Sequence, residues 1–98
     1  MMRARFISPA NDDVSEAAEH YLNTDPDAGR RFFEELDRAT NLIETNPRIG
    51  RPAEHDTYRL TLQRFPYDVV YEIHPHEIVV IAVAHHRRER SYWISRLS

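Results

Sequence analysis

The sequence predicts an α+β fold in which a helical hairpin packs on one face of an antiparallel sheet. Three observations predict it. Apolar residues recur with helical spacing in two stretches between residues 9 and 46, one after the other. At Tyr58 the period changes from helical to two. The most apolar run of the chain, IVVIAVA at 78 to 84, then closes a series of three strands that reads as a meander.

Residues 3 to 7, RARFI, form the first strand, bounded by Ser8-Pro9. Ser8 is placed as N-cap and Pro9 at the first helical position, where its missing N–H is not needed. Val14, Ala17, Ala18, Tyr21 and Leu22 then recur at the spacing of an amphipathic helix that runs to about Leu22. Asn23-Thr24-Asp25-Pro26 breaks it and starts the next, with Asp25 as cap. Phe32, Leu36, Ala39 and Ile43 give the second helix one apolar stripe, ending near Asn46-Pro47. The acidic residues of the pair, Asp12, Asp13, Glu16, Glu19, Glu34, Glu35 and Asp37, read as a solvated outer face.

PRIGRPAEHD, residues 47 to 56, is the one long connection. Tyr58, Leu60 and Leu62 alternate with Arg59, Thr61 and Gln63 as a half-buried strand, and Arg64-Phe65-Pro66 makes a turn. Strands at 67 to 74 and 77 to 85 follow, joined by a hairpin on Pro75-His76. If His74 faces Glu77, then Tyr67, Val69, Tyr71 and Ile73 share the helix face with Ile78, Val80, Ala82 and Ala84. Asp68, Val70, Glu72, Val79, Ile81, Val83 and His85 then lie opposite, on a face left partly open. The same register gathers Arg64, His85 and the following arginines at one end of the sheet. SYWISRL, residues 91 to 97, should lay Trp93, Ile94 or Leu97 against the sheet edge.

Ninety-eight residues suffice for one core, so the whole of 1 to 98 is expected to be one domain. The apolar segment of MMRARFISP is too short for a signal peptide. The seven-residue run cannot span a bilayer that needs about 20 residues, so a cytoplasmic protein without membrane contact is expected. No cysteine is present, which excludes disulfides, thiolate metal sites and a cysteine nucleophile. The net charge is −3, and all 13 basic residues are arginine. Residues 1 to 47 carry 5 Arg against 10 acidic residues, and residues 48 to 98 carry 8 Arg against 6, with five of the six His. This balance disfavours broad nucleic-acid binding, which depends on neutralising many phosphates, and leaves a local basic site in the second half.

That site would lie in AHHRRERSYW, residues 84 to 93. His76 and His85 stand roughly 30 Å apart along one strand, and each His pair alone offers too few ligands, so no metal is expected. A ribonuclease would need a base, a cation for the phosphorane and an acid for the leaving oxygen. His85 or His86 could be the base, Arg59, Arg64, Arg87 or Arg88 the cation, and Tyr92 the acid. Against that reading, Arg59 can pair with Glu72 or Asp68, and the later arginines can be a charged exit from the core.

DPDAGRRFFEEL, NPRIGRP, YRLTLQRFPYDVVYEI and IVVIAVAHHRRERSYWISRL together resemble the toxins of the RelE/ParE superfamily from bacterial type II toxin-antitoxin modules, closer to the ParE side. The resemblance runs from about Phe6 to Leu97. It implies a helical hairpin on a curved antiparallel sheet, a cognate antitoxin as partner and no cofactor. On the ParE side it implies an inhibitor of DNA gyrase acting by protein contact, with Arg59, Arg64, His85, Arg87, Arg88 and Trp93 as partner-binding candidates and no direct sequence-specific DNA binding. On the RelE side it implies cleavage of ribosome-bound messenger RNA, for which His85, Arg64, Arg88 and Tyr92 would be catalytic. RelE-like members use lysines, and this chain has none. A third reading is an inactive remnant that keeps only the fold.

Overall fold

The computed structural model describes residues 1–97, and the side chains of residues 90 and 91 are not among those described. Strand β1 (Ala4–Phe6) leads into helix α1 (Ser8–Thr24), and helix α2 (Pro26–Thr45) follows at once. The sheet then builds through β2 (Arg51–Pro52), β3 (Tyr58–Thr61), β4 (Tyr67–Ile73) and β5 (Ile78–His85). A 3-10 segment, Arg90–Arg96, closes the fold. No helix of the described residues is long and apolar enough to cross a membrane.

The helix starts follow the local chemistry with one adjustment. Asp25 caps α2 as its side chain accepts from the Asp27 N–H at 3.1 Å, with Pro26 in the first turn. In α1 the cap is Ile7, whose carbonyl accepts from the Asn11 N–H at 3.0 Å, so Ser8 already lies inside the helix and makes no capping bond. The helices pack on one sheet face around an aromatic cluster. Phe32 lies 5.5 Å from the rings of Tyr21 and Phe65 and 5.7 Å from Tyr67. Such pairs add about 0.5–1.5 kcal/mol each beyond their buried area, and these tie the hairpin to the β3–β4 turn.

The sheet is mixed, in the order β1-β5-β4-β3-β2, with β1 parallel to β5 and the other pairs antiparallel. It has one strand more than the sequence reading gave, because Arg51–Pro52 of the long connection pairs with Arg59 and Tyr58. Proline is tolerated there since β2 is an edge. Tyr71 anchors this connection: its hydroxyl donates to the Pro47 carbonyl at 2.6 Å and accepts from the Gly50 N–H at 3.1 Å.

The β4–β5 register corrects part of the face assignment. Pairs Ile73↔Ile78, Glu72↔Val79 and Tyr71↔Val80 keep the expected register, then a bulge at Ile81 shifts it so that Val70 faces Ala82 and Tyr67 faces His85. A bulge places two consecutive residues on one side and reverses the alternation beyond it. Val83 therefore joins the helix-side core with Tyr67 and Val69, and His85, expected on the open face, turns to the same side beside the Tyr67 ring. Ala82 and Ala84, expected under the helices, lie on the other face with Val70, Val79, Ile81 and Trp93. That second face is also less open than expected. Trp93, 1% exposed, packs against these residues, with Ile94 and Leu97 beside it.

Beyond Phe6, β5 outruns β1, and its edge would leave backbone groups without partners. Asp13 and Arg96 supply them. The Asp13 carboxylate accepts from the Val83 N–H at 3.0 Å, and Arg96 Nη1 donates to the Ile81 carbonyl at 3.1 Å. The two side chains also pair with each other, at 2.7 Å and 3.2 Å. Asp13 is 8% exposed, which corrects its placement on the solvated helix face. Glu35 departs from that face as well: it accepts from Arg38 at 2.7 Å and from the Gln63 N–H at 2.6 Å, clamping α2 to the end of β3.

Candidate functional site

The antiparallel pairing of β3 with β4 sets Thr61 opposite Asp68 and Arg59 opposite Val70. This brings three side chains of the second face together at the end where β5 leaves the sheet. Asp68, buried, accepts from the Thr61 hydroxyl at 2.7 Å and meets His86 Nε2 at 3.0 Å. Arg59 Nη1 stands 3.6 Å from the second oxygen of Asp68, too long for a hydrogen bond. The Arg59 guanidinium carbon lies 6.0 Å from the Trp93 ring centre.

Around this cluster opens a cavity of about 410 Å³, lined by Arg51, Arg59, Asp68, His86, Arg88 and Trp93 among others. His85 and Glu89 also reach it. A second cavity, about 240 Å³, lies on the far side of His85 and Arg88 and is bounded by Asp13, Glu16, Tyr67 and Tyr92. His85 therefore forms a wall between the two. Its ring meets Tyr67 edge-on at 5.0 Å, and its Nδ1 accepts from the Arg87 N–H at 3.0 Å. Burial first, and then the charges of Arg87, His86, His20 and Arg88, hold its pKa below the usual histidine value. The neutral ring with Nδ1 already accepting carries its proton on Nε2.

Tyr92 faces inward. Its hydroxyl reaches the Asp13 carboxylate at a long 3.4 Å, with the guanidinium carbons of Arg88 and Arg96 4.8 Å and 4.9 Å from its ring centre. Burial, followed by the Asp13 charge, pushes its pKa up to about 12. Arg88 otherwise makes a loose pair with Glu16 at 3.8 Å.

The structure thus brings Arg59, His85, Arg88 and Trp93 to one cavity and leaves Arg64 out. The expectation that Arg64 clusters with His85 is corrected by the β3–β4 turn. Arg64 has φ 68°, a left-handed backbone that carries it to the helical side. There it lines a groove of about 810 Å³ with Tyr21, Arg31, Glu35, Arg38 and Phe65. Arg87 is exposed at the strand exit. Arg51 and Asp13 were missed by sequence reasoning. Nothing marks Arg51 within a Pro/Gly-rich connection, whereas Asp13 could have been found: with Ala10 and Ala17 it shares the buried stripe of α1. Among the described residues no group of three or more His, Cys, Asp or Glu is placed to hold a metal ion.

Comparison with known proteins gives this geometry a context. A family described as the ParE toxin of the type II toxin-antitoxin system parDE matches residues 5–90. No curated protein matches. Among solved structures, a chromosomal ParDE TA system from P. aeruginosa is similar, with 21% identity, a TM-score of 0.76, and coverage of 87% of this chain and 96% of that one. At that identity the likeness speaks for the fold. The helical hairpin, the mixed sheet and a family match spanning most of the chain lead to one conclusion: the chain belongs to the ParE toxin family of type II toxin-antitoxin systems.

Proposed function

We propose that this chain inhibits growth by protein contact with DNA gyrase in the cytoplasm and is neutralised by a cognate antitoxin. The observation that carries the reading is the match of the ParE toxin family over residues 5–90. The solved relative, described as a ParDE TA system, supports an antitoxin as partner.

Contact is favoured over RNA cleavage by the positions of the four residues a nuclease would use. Arg64 lies in the helical groove, away from His85 and Arg88. Tyr92 is turned toward Asp13, and a phenol pushed up to about 12 is a weak proton donor at neutral pH. His85 has its accepting nitrogen occupied by the Arg87 N–H. His85, Arg88 and Tyr92 line the cavity of about 240 Å³ together, but Arg64 is absent from it, and the accepting nitrogen of His85 and the Tyr92 hydroxyl are already engaged by the Arg87 N–H and Asp13.

Induced expression tests the reading. Double-strand DNA breaks with an SOS response, and trapped cleavage complexes when purified protein meets purified gyrase, are the expected results. Co-expression of an antitoxin encoded by an adjacent small reading frame should suppress both. Cleaved transcripts and stalled translation without DNA breaks would overturn it in favour of the nuclease. A stable protein that binds the antitoxin and affects neither would leave only the fold.

A further inference from the structure

The cavity on the second sheet face has a loosely paired cation in its wall. The Arg59 side chain is only 20% exposed, yet among the described residues its Nε, itself buried, donates to no acceptor, and its ion pair with Asp68 is loose at 3.6 Å. Asp68 does not satisfy it: Thr61 and His86 hold one of its oxygens at 2.7 Å and 3.0 Å, and the other oxygen faces Nη1 at 3.6 Å, beyond hydrogen-bond distance. A guanidinium offers five donors in a fixed plane, and burying it short of acceptors leaves part of its desolvation uncompensated. Arg51, set beside Arg59 by the β2–β3 pairing, and Arg88 bring two more guanidiniums to the same rim.

We infer that this cavity receives a single carboxylate side chain from a protein partner, held by Arg59 with Arg88 and Arg51. The inference rests on the protein-contact reading above and adds the chemistry of the contact. Nε is buried out of reach of a ligand, but an incoming carboxylate can meet the Nη groups of Arg59, whose pairing with Asp68 is loose at 3.6 Å, and two Nη donors on one guanidinium suit two parallel hydrogen bonds. The built-in counter-charge sets the limit. Asp68 and Glu89 share the cavity with the three arginines, so the site favours one negative charge and repels a chain of them. Trp93 is buried against the sheet and offers no exposed face for base stacking. A protein carboxylate therefore suits the cavity better than a nucleic-acid strand.

The test is an NMR titration of the full chain at physiological salt, following the Nε–H signal of Arg59 and the indole N–H of Trp93. The probe is the capped tripeptide acetyl-Gly-Glu-Gly-amide, with the Gln analogue as the uncharged control and a hexanucleotide RNA as the rival ligand. The Glu peptide should shift both signals saturably, and the Gln peptide should bind roughly tenfold or more weakly, the cost of one charge-assisted hydrogen bond. Arg59→Met should abolish the peptide-induced shift of the Trp93 indole signal while that signal stays dispersed as in a folded chain, and an undiminished Trp93 shift would overturn the inference. Arg88→Gln, at an exposed position, should weaken the peptide several-fold without affecting folding. Equal shifts from the Glu and Gln peptides, no saturation, or tighter binding of the RNA at the same signals would each overturn the inference. The titration uses neither gyrase nor antitoxin. A chain that breaks DNA but ignores the peptide would sink this inference alone, and one that binds the peptide but leaves gyrase untouched would sink the target instead.

Discussion

Removing Arg96 should expose how far the C-terminal segment holds the sheet together. Its guanidinium makes bonds of 2.7 Å and 3.2 Å to Asp13 and one of 3.1 Å to the Ile81 carbonyl, and its side chain is 17% exposed. Breaking one partner out of a buried pair costs about 3–5 kcal/mol, and the residual exposure of Arg96 argues for the lower end, about 3 kcal/mol. For a domain of this size each kcal/mol moves the midpoint by about 4–8 °C, so Arg96→Ala should lower Tm by roughly 12–24 °C. Asp13→Ala should cost a similar amount, and the double variant clearly less than the sum, with a coupling of about 1–3 kcal/mol. Apolar replacement of both, Asp13→Leu with Arg96→Met, sharpens the test. An isolated buried ion pair often tolerates that exchange. Here it would strip the Val83 N–H and Ile81 carbonyl of their partners, at about 1–3 kcal/mol for each group left unpaired. Urea unfolding followed by circular dichroism measures all four variants against the wild type. Single losses below about 1 kcal/mol, or an apolar double variant as stable as the wild type, would refute the claim that this pair completes the β5 edge.

Trp93→Ala should cost about 3–5 kcal/mol, as for other large core aromatics, and a loss under 1 kcal/mol by the same unfolding assay would mean the segment merely rests on the sheet. Gly50→Ala should destabilise by about 1–3 kcal/mol, since a Cβ there would stand 2.6 Å from the Tyr71 hydroxyl and 2.9 Å from the Arg59 carbonyl; an unchanged urea midpoint contradicts this. The Arg38 hydrogen bond, above all, holds the Glu35 carboxyl below its ordinary 4.5. Its contribution is therefore full above that pH and lost as pH falls through the lower folded value. Glu35→Gln should accordingly be destabilised at pH 7 by about 1.5–3 kcal/mol and converge on the wild type in acid; a gap constant with pH argues otherwise. For His85 the folded pKa also lies below the ordinary 6.5, so its contribution is complete above that pH and fades as pH drops through the folded value; an NMR midpoint at or above 6.5 contradicts the burial argument.

The two helices, their Asp25-Pro26 junction and the three long strands were legible because each carries a clean period and a turn signal at its ends. The bulge was not. IVVIAVA is apolar at every position, so no alternation marks where the register shifts by one, and the faces of Ala82, Val83, Ala84 and His85 followed the unshifted count. The two-residue β2 strand is too short to show any period. Arg59, His85, Arg88 and Trp93 could be nominated for one region because they cluster in sequence or alternate in the strand pattern. Arg64 was misplaced because a left-handed turn residue without glycine carries no compositional mark. Asp13 and Glu35 were hidden by acidic neighbours, although helical geometry sets each within reach of a buried stripe.

Tyr71 fastens the connection after α2 at both Pro47 and Gly50, and β2 pairing then fixes Arg51 beside Arg59. A segment with two prolines and a glycine, which sequence alone would leave as loose coil, is thereby frozen before any encounter. A ligand meeting Arg51 does not have to order its backbone, whose conformational entropy was lost on folding. Loosening that phenol, by Tyr71→Phe, would therefore weaken association at a surface it never touches.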